Sequence, residues 1–115
     1  MLALELVLSK DKTLPTMIFD EVDAGVGGQT AVELGRRLAK VAKNTQVLVI
    51  THLAQVAAYS ANQIRVLKNT QGSITHSSVL PLQGEERVRE LARMLSGSPD
   101  SEIAIAHARE LLLSN

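Results

Sequence analysis

Thr16-Met17-Ile18-Phe19-Asp20-Glu21 and Gln46-Val47-Leu48-Val49-Ile50-Thr51-His52 decide the fold of this chain. Each is a short apolar run, too brief for a helix, that stops abruptly in polar side chains. Such runs suit strands buried on both faces. Between them, residues 29–43 predict an amphipathic helix. Ala31, Leu34, Leu38, Val41 and Ala42 form one stripe, opposite Glu33, Arg36, Arg37, Lys40 and Lys43. Glu33 and Arg37 are spaced for an i,i+4 pair worth about 0.2–0.5 kcal/mol. Asn44 is the expected C-terminal cap. Gly25-Val26-Gly27-Gly28 must be loop, because glycine disfavours both regular states. Strand, helix and strand at this spacing make a βαβ unit with parallel strands.

Working outward, residues 2–9 (LALELVLS) read as the end of a buried helix, and Lys10 to Pro15 as a turn-like connector. An opening in mid-helix, with no cap before Leu2, is what a fragment would show. Downstream, a short helix is expected over 53–59. Strands follow at Gln63–Lys68 and Ser73–Leu80, around a hairpin turn at Asn69-Thr70-Gln71-Gly72. Val88, Leu91, Ala92 and Leu95 mark a helix over 85–96 that Gly97 ends. Ser98-Pro99-Asp100-Ser101 then supplies an N-cap and a first-turn proline for a last helix reaching about Leu113. No repeat, linker or low-complexity segment interrupts residues 1–115, which read as one α/β unit.

With 115 residues, the chain has the length of one ordinary domain with a single core. Hydrophobic residues at 45% and charged residues at 21% indicate a globular chain, not a disordered one. Twelve basic and twelve acidic side chains cancel, which argues against a dedicated polyanion-binding module. The absence of cysteine excludes disulfides, thiolate metal sites and a cysteine nucleophile. No apolar run approaches the roughly 20 residues that cross a bilayer. The start, MLALELVLSKD, lacks a basic leader and a small-residue cleavage site, so a reducing cytoplasmic setting is expected. Phe19 and Tyr59 are the only aromatic residues, so the core must be aliphatic.

The chemistry belongs at the strand ends. In an open parallel sheet the carboxyl ends of the strands share one edge, where ligands bind. Asp20, Glu21 and His52 are therefore expected to face a common site. Taken singly, each has a plainer reading: acids in a solvated turn, or a histidine capping the next helix. Together they suit nucleotide hydrolysis. The first carboxylate can hold a magnesium ion through water, and the second can polarise the attacking water. The histidine can hydrogen-bond the terminal phosphate. The glycine-rich loop is no dinucleotide fingerprint, since Thr30 stands where a third glycine belongs. Nor does the chain contain a Gly-Lys dipeptide, and hence it has no phosphate loop within its 115 residues.

These residues carry a resemblance. Met17 to Gly28 (MIFDEVDAGVGG) resembles the Walker B and D-loop segment of RecN, a bacterial DNA-repair ATPase family related to SMC proteins. Thr51 to Ala58 (THLAQVAA) resembles its switch-histidine segment, with Ala54 where proline is usual. Arg87–Leu95 and His107–Leu112 resemble its C-terminal helices. The resemblance implies a P-loop NTPase-like fold of the ABC/SMC head type, of which this is the C-terminal half, with parallel strands, a hairpin and two final helices. It implies that Asp20 serves Mg2+, that Glu21 is the catalytic base and that His52 meets the γ-phosphate of ATP. Asp23, Ala24, Gly25 and Gly27 would belong to the D-loop, at the interface of two ATP-bound heads. Gln55, one helical turn beyond His52, would help orient that loop. Implied partners are a second head, the missing N-terminal lobe and double-stranded DNA, without a membrane, in the nucleoid-associated cytoplasm of a bacterium. Two rivals are a self-standing binding or oligomerisation domain with a degenerate ATPase edge, and the head of another SMC-like ATPase.

Smaller features take plainer readings. The basic helix face of Arg36, Arg37, Lys40 and Lys43 is expected to be solvated, given Glu33 beside it. His76 and His107 are expected to be ordinary surface or partly buried residues, and Tyr59 a packing residue.

Overall fold

The computed structural model describes residues 16–21 and 24–114. The expected helix over 2–9, the connector to Pro15 and Asp23 lie outside the described residues. Two short parallel strands open the described chain, β1 (Thr16–Asp20) and β2 (Gln46–Ile50), paired in unbroken register from Thr16↔Gln46 to Asp20↔Ile50. The crossover between them is α1 (Gly28–Val41), as the βαβ pattern requires. Its end differs from expectation. Ala42 is the C-terminal cap, not Asn44, and its N–H donates to Leu38 O at 3.0 Å. Lys43 and Asn44 then donate to Lys40 and Val41 carbonyls at 3.3 and 3.2 Å. This tightened last turn satisfies the orphan carbonyls without a left-handed residue.

The strands are covered on one face only among the described residues, which corrects the expectation of burial on both. Met17 and Phe19 point into a cluster with Ala31, Leu34, Leu38 and Val41 of α1. On the other face Ile18, Leu48 and Ile50 are 66%, 49% and 54% exposed. Two continuous apolar strands thus match a sheet with two covered faces, and the described chain covers one.

After β2 comes α2 (Ala54–Ala57), one helical turn extended by a turn through Tyr59, shorter than the helix expected over 53–59. A hairpin follows, β3 (Gln63–Gln71) and β4 (Ile74–Leu82). Its turn is not Asn69–Gly72 but the two residues Gly72-Ser73; Asn69, Thr70 and Gln71 pair with His76, Thr75 and Ile74. Gly72 has φ +63°, the backbone that a two-residue hairpin turn asks of its first residue. The polar tip residues stay in the ladder because both faces of the hairpin are exposed there, so no apolar side is needed.

The last two helices are α3 (Glu85–Ser96) and α4 (Glu102–Leu113). Gly97, at φ +82°, ends α3 and donates its N–H to Arg93 O at 2.7 Å. Ser101 caps α4, its hydroxyl accepting from Ala104 N at 3.4 Å. Pro99 lies before that cap, in the interhelical turn, and not in the first turn of α4 as expected.

The core is not single. Ala54, Ala57 and Ala58 pack with Val88, Leu91, Ala92, Ala104 and Ala108 in a second cluster, whereas Val56 joins the first. The turn of α2 therefore straddles two small cores. With so few large side chains, the chain packs its helices through alanines, and each cluster stays local. Ion pairs tie the second cluster together. Arg109 donates both Nη1 and Nη2 to the Glu85 carboxylate at 2.7 Å each, and Arg89 pairs with Asp100. Glu90, 7% exposed, receives Arg93 at 2.9 and 2.6 Å, with Arg65 of β3 at 3.4 Å. A nearly buried carboxylate is tolerable because two guanidinium groups face it.

Candidate functional site

Register alone brings the expected site residues to one edge. Asp20 is the last residue of β1 and stands opposite Ile50, the last of β2, so Glu21 and Thr51-His52 leave the sheet side by side. Side chains alternate along a strand. Asp20 therefore shares the face of Ile18, Leu48 and Ile50, away from α1, and it is exposed. Glu21 and His52 are exposed too.

The backbone at Glu21 is unusual. Its φ is +58°, and it is the one non-glycine residue with positive φ among the described residues. An L residue there costs about 1–2 kcal/mol relative to the right-handed region. The Ala24 N–H donates to Glu21 O at 3.2 Å. Such strain persists where the surroundings over-determine it, and it concentrates at functional sites.

Ala24, Gly25 and Gly27 form the exposed loop leading to α1. Gly25 needs its positive φ of +73°. Gly27 is different: its backbone is extended, with φ −158°, and a Cβ added there would meet nothing within 4 Å. Neither backbone nor space within the described chain demands glycine at that position.

Just past the second strand, Thr51 Oγ1 accepts from Leu53 N at 3.0 Å, folding the chain into the start of α2. Val56 and Ala57 N–H then donate to Leu53 O at 3.1 and 3.0 Å. Gln55 is half-buried on that turn, with its carbonyl turned toward α1. A Cβ added to Gly35 would lie 3.2 Å from Gln55 O and 2.5 Å from Tyr59 Cδ2. Tyr59 is thus the expected packing residue, lying directly on α1. The basic face is solvated as expected, with Glu33 held by Arg36 at 3.1 Å and Arg37 at 3.5 Å. His76 and His107 are exposed.

Arg87 was not singled out by sequence reasoning. Its Nη2 lies 3.2 Å from Ala57 O, 3.3 Å from Ala58 O and 2.7 Å from Ser60 O, and its Nε donates to Gln63 Oε1 at 3.1 Å. The available signal was its place one turn before Leu91, at the rim of the apolar stripe. Partial burial lowers its pKa from the usual arginine range. By contrast, the Glu90 carboxylate raises that of Arg93, and the Arg109 guanidinium lowers that of Glu85.

Among the described residues no group of three or more potential ligands gathers as a closed metal cage. No helix among them is long and apolar enough to cross a membrane.

No protein-family model matches the chain. It is similar to the DNA repair protein RecN of several bacteria. Identity is 60% over 112 residues with that of Streptomyces coelicolor, 53% over 112 with Mycobacterium leprae and 49% over 112 with Deinococcus radiodurans. These matches take in 97% of this chain, which spans about a fifth of the length of those curated relatives. The fold is that of part of an SMC ATPase. A chain from a structural study of ATP-driven dimerization and DNA-stimulated activation of SMC ATPases superposes with a TM-score of 0.66 and 23% identity. That superposition covers 83% of this chain and 56% of the other.

Proposed function

We propose, from a sequence matching a fifth-length segment of RecN, that this chain carries the carboxylate and histidine edge of an ATPase head acting in double-strand-break repair and recombination. One observation carries the reading. Two parallel strands in unbroken register end in Asp20-Glu21 and Thr51-His52, with the Glu21 backbone held in the left-handed region.

In this reading Glu21 accepts the proton of the attacking water. His52 hydrogen-bonds the terminal phosphate. Asp20 is the Walker B aspartate and would hold Mg2+ on the nucleotide. The donor set fits that ion: one or two exposed carboxylates suit a cation that keeps several waters, whereas a dedicated all-protein cage is uncommon for it. When bound, Mg2+ would neutralise phosphate charge. Gln55 helps orient the His52 loop.

Asp23, Ala24, Gly25 and Gly27 meet a second head. The open space around Gly27 supports this, because a glycine with no internal reason for being one permits close approach from outside. The bare face of Ile18, Leu48 and Ile50 is where the rest of the same head packs, bringing the phosphate loop that these 115 residues lack. Hydrolysis then couples the parting of paired heads to the handling of double-stranded DNA, in the bacterial cytoplasm at the nucleoid. A long protein of this kind with Glu21→Gln should bind ATP and accumulate paired heads, measurable by size-exclusion chromatography with and without ATP. Absence of any ATP-dependent pairing would overturn the head assignment.

A further inference from the structure

We propose that Arg87 is a positioning residue for His52: its guanidinium fixes one end of the α2 strut whose other end carries the histidine. The inference rests on the reading of His52 as the phosphate-facing residue.

Hydrogen bonds run without a break from Thr51 to Ser60. Leu53 N is held by Thr51 Oγ1, and Val56 and Ala57 N–H bond back to Leu53 O. Ala58, Tyr59 and Ser60 N–H continue to the carbonyls of Ala54, Val56 and Ala57 at 2.9, 3.2 and 3.1 Å. An isolated helical turn of this length has no stability of its own, because nucleation is unfavourable. Its geometry depends on what grips it.

Tyr59 against Gly35 grips one side. Arg87 grips the end, where its Nη2 meets the carbonyls of Ala57, Ala58 and Ser60, with the Ser60 hydroxyl at 3.3 Å. These carbonyls lie at and just beyond the C-terminal end of the turn, and Ala57 O, which already accepts from Ser60 N, takes the guanidinium as a further donor. The neighbouring Nε of the same guanidinium donates to Gln63, the first residue of β3. Arg87 itself stands on α3, which is anchored by the fully buried Leu91 and by Glu85 to Arg109. A path of direct contacts thus leads from α3 through one side chain to the turn that begins after His52. Planarity matters here: a lysine ammonium is a point charge and cannot hold Gln63 and the carbonyls in the same arrangement.

The test uses the 115-residue chain and no nucleotide. Ring signals of His52, His76 and His107 are followed by NMR, assigned by replacing each histidine, together with amide exchange along residues 53–60. Arg87→Lys keeps the charge. It should speed exchange at Ala57–Ser60 by about tenfold and shift the His52 ring signals, leaving those of His76 and His107 in place. Arg87→Ala should move the same signals further; should that variant not fold, the lysine variant decides. A purely structural role would speed exchange while the His52 signals stay unmoved, and that result would overturn the proposal, as would unchanged exchange. Normal ATP turnover after Glu21→Gln would defeat the ATPase reading separately, without touching this coupling.

Discussion

Gly35→Ala should have opposite effects depending on whether Tyr59 is present. The added methyl would lie 2.5 Å from Tyr59 Cδ2 and 3.2 Å from both Tyr59 Cγ and Gln55 O. Carbon atoms pack at about 3.5–4.0 Å, so the ring must retreat by about 1 Å or more. Overpacking of this kind costs about 1–3 kcal/mol. Against it stands the gain of about 0.8–1 kcal/mol for replacing glycine by alanine inside a helix. The clash wins, and the variant should lose about 1 kcal/mol, with a melting temperature lower by roughly 4 °C. In a Tyr59→Ala background the ring is gone and only the 3.2 Å approach to Gln55 O remains, so the same change should stabilise, by less than the full gain of about 0.8–1 kcal/mol. Urea unfolding of the four chains measures the difference. Tyr59 is the single tyrosine and there is no tryptophan, so tyrosine fluorescence reports this contact directly in the Tyr59-containing pair. An equal effect of either sign in both backgrounds would refute the packing argument.

Two further outcomes follow from the same geometry. Glu21→Gly should raise stability by about 0.5–1 kcal/mol, because glycine tolerates positive φ but gives back part of the gain as chain entropy; a loss in urea unfolding would contradict the strained backbone. Glu85 should titrate below its ordinary value of 4.5, since Arg109 lowers its pKa. A carboxylate depressed in the folded state stabilises at pH above its unfolded value, and that contribution disappears as pH falls through the folded one. NMR titration of the Glu85 carboxyl checks this, and a midpoint at or above 4.5 would refute the pairing.

The βαβ unit and the two final helices were legible because apolar periodicity and glycine stops are local signals. Strand ends at Ile50 and helix ends at Ser96 followed from them. The hairpin turn was misplaced because Asn69, Thr70 and Gln71 are turn-prone residues that pair in a fully exposed ladder, where no apolar alternation marks the strand. Burial on both faces was inferred from Ile18, Leu48 and Ile50, which record a covering layer that the described chain does not supply. The split core escaped notice because Ala54, Val56 and Ala57 look alike in sequence and diverge only by the face each presents. Asp20, Glu21 and His52 were candidates by residue type, and the strand register sets the chain ends that bear them side by side. The left-handed backbone of Glu21 is not readable from its residue type, and the grip of Arg87 joins residues 24 to 30 positions apart, which no local spacing encodes.

The central claim is tested most directly by single-turnover ATP hydrolysis in a long RecN-type protein containing this segment, with Glu21→Gln and ATP affinity measured on the same sample. Loss of a positioned general base should slow hydrolysis by about 100-fold or more while ATP affinity is retained. Hydrolysis at the unaltered rate would contradict the assignment of Glu21 as the base.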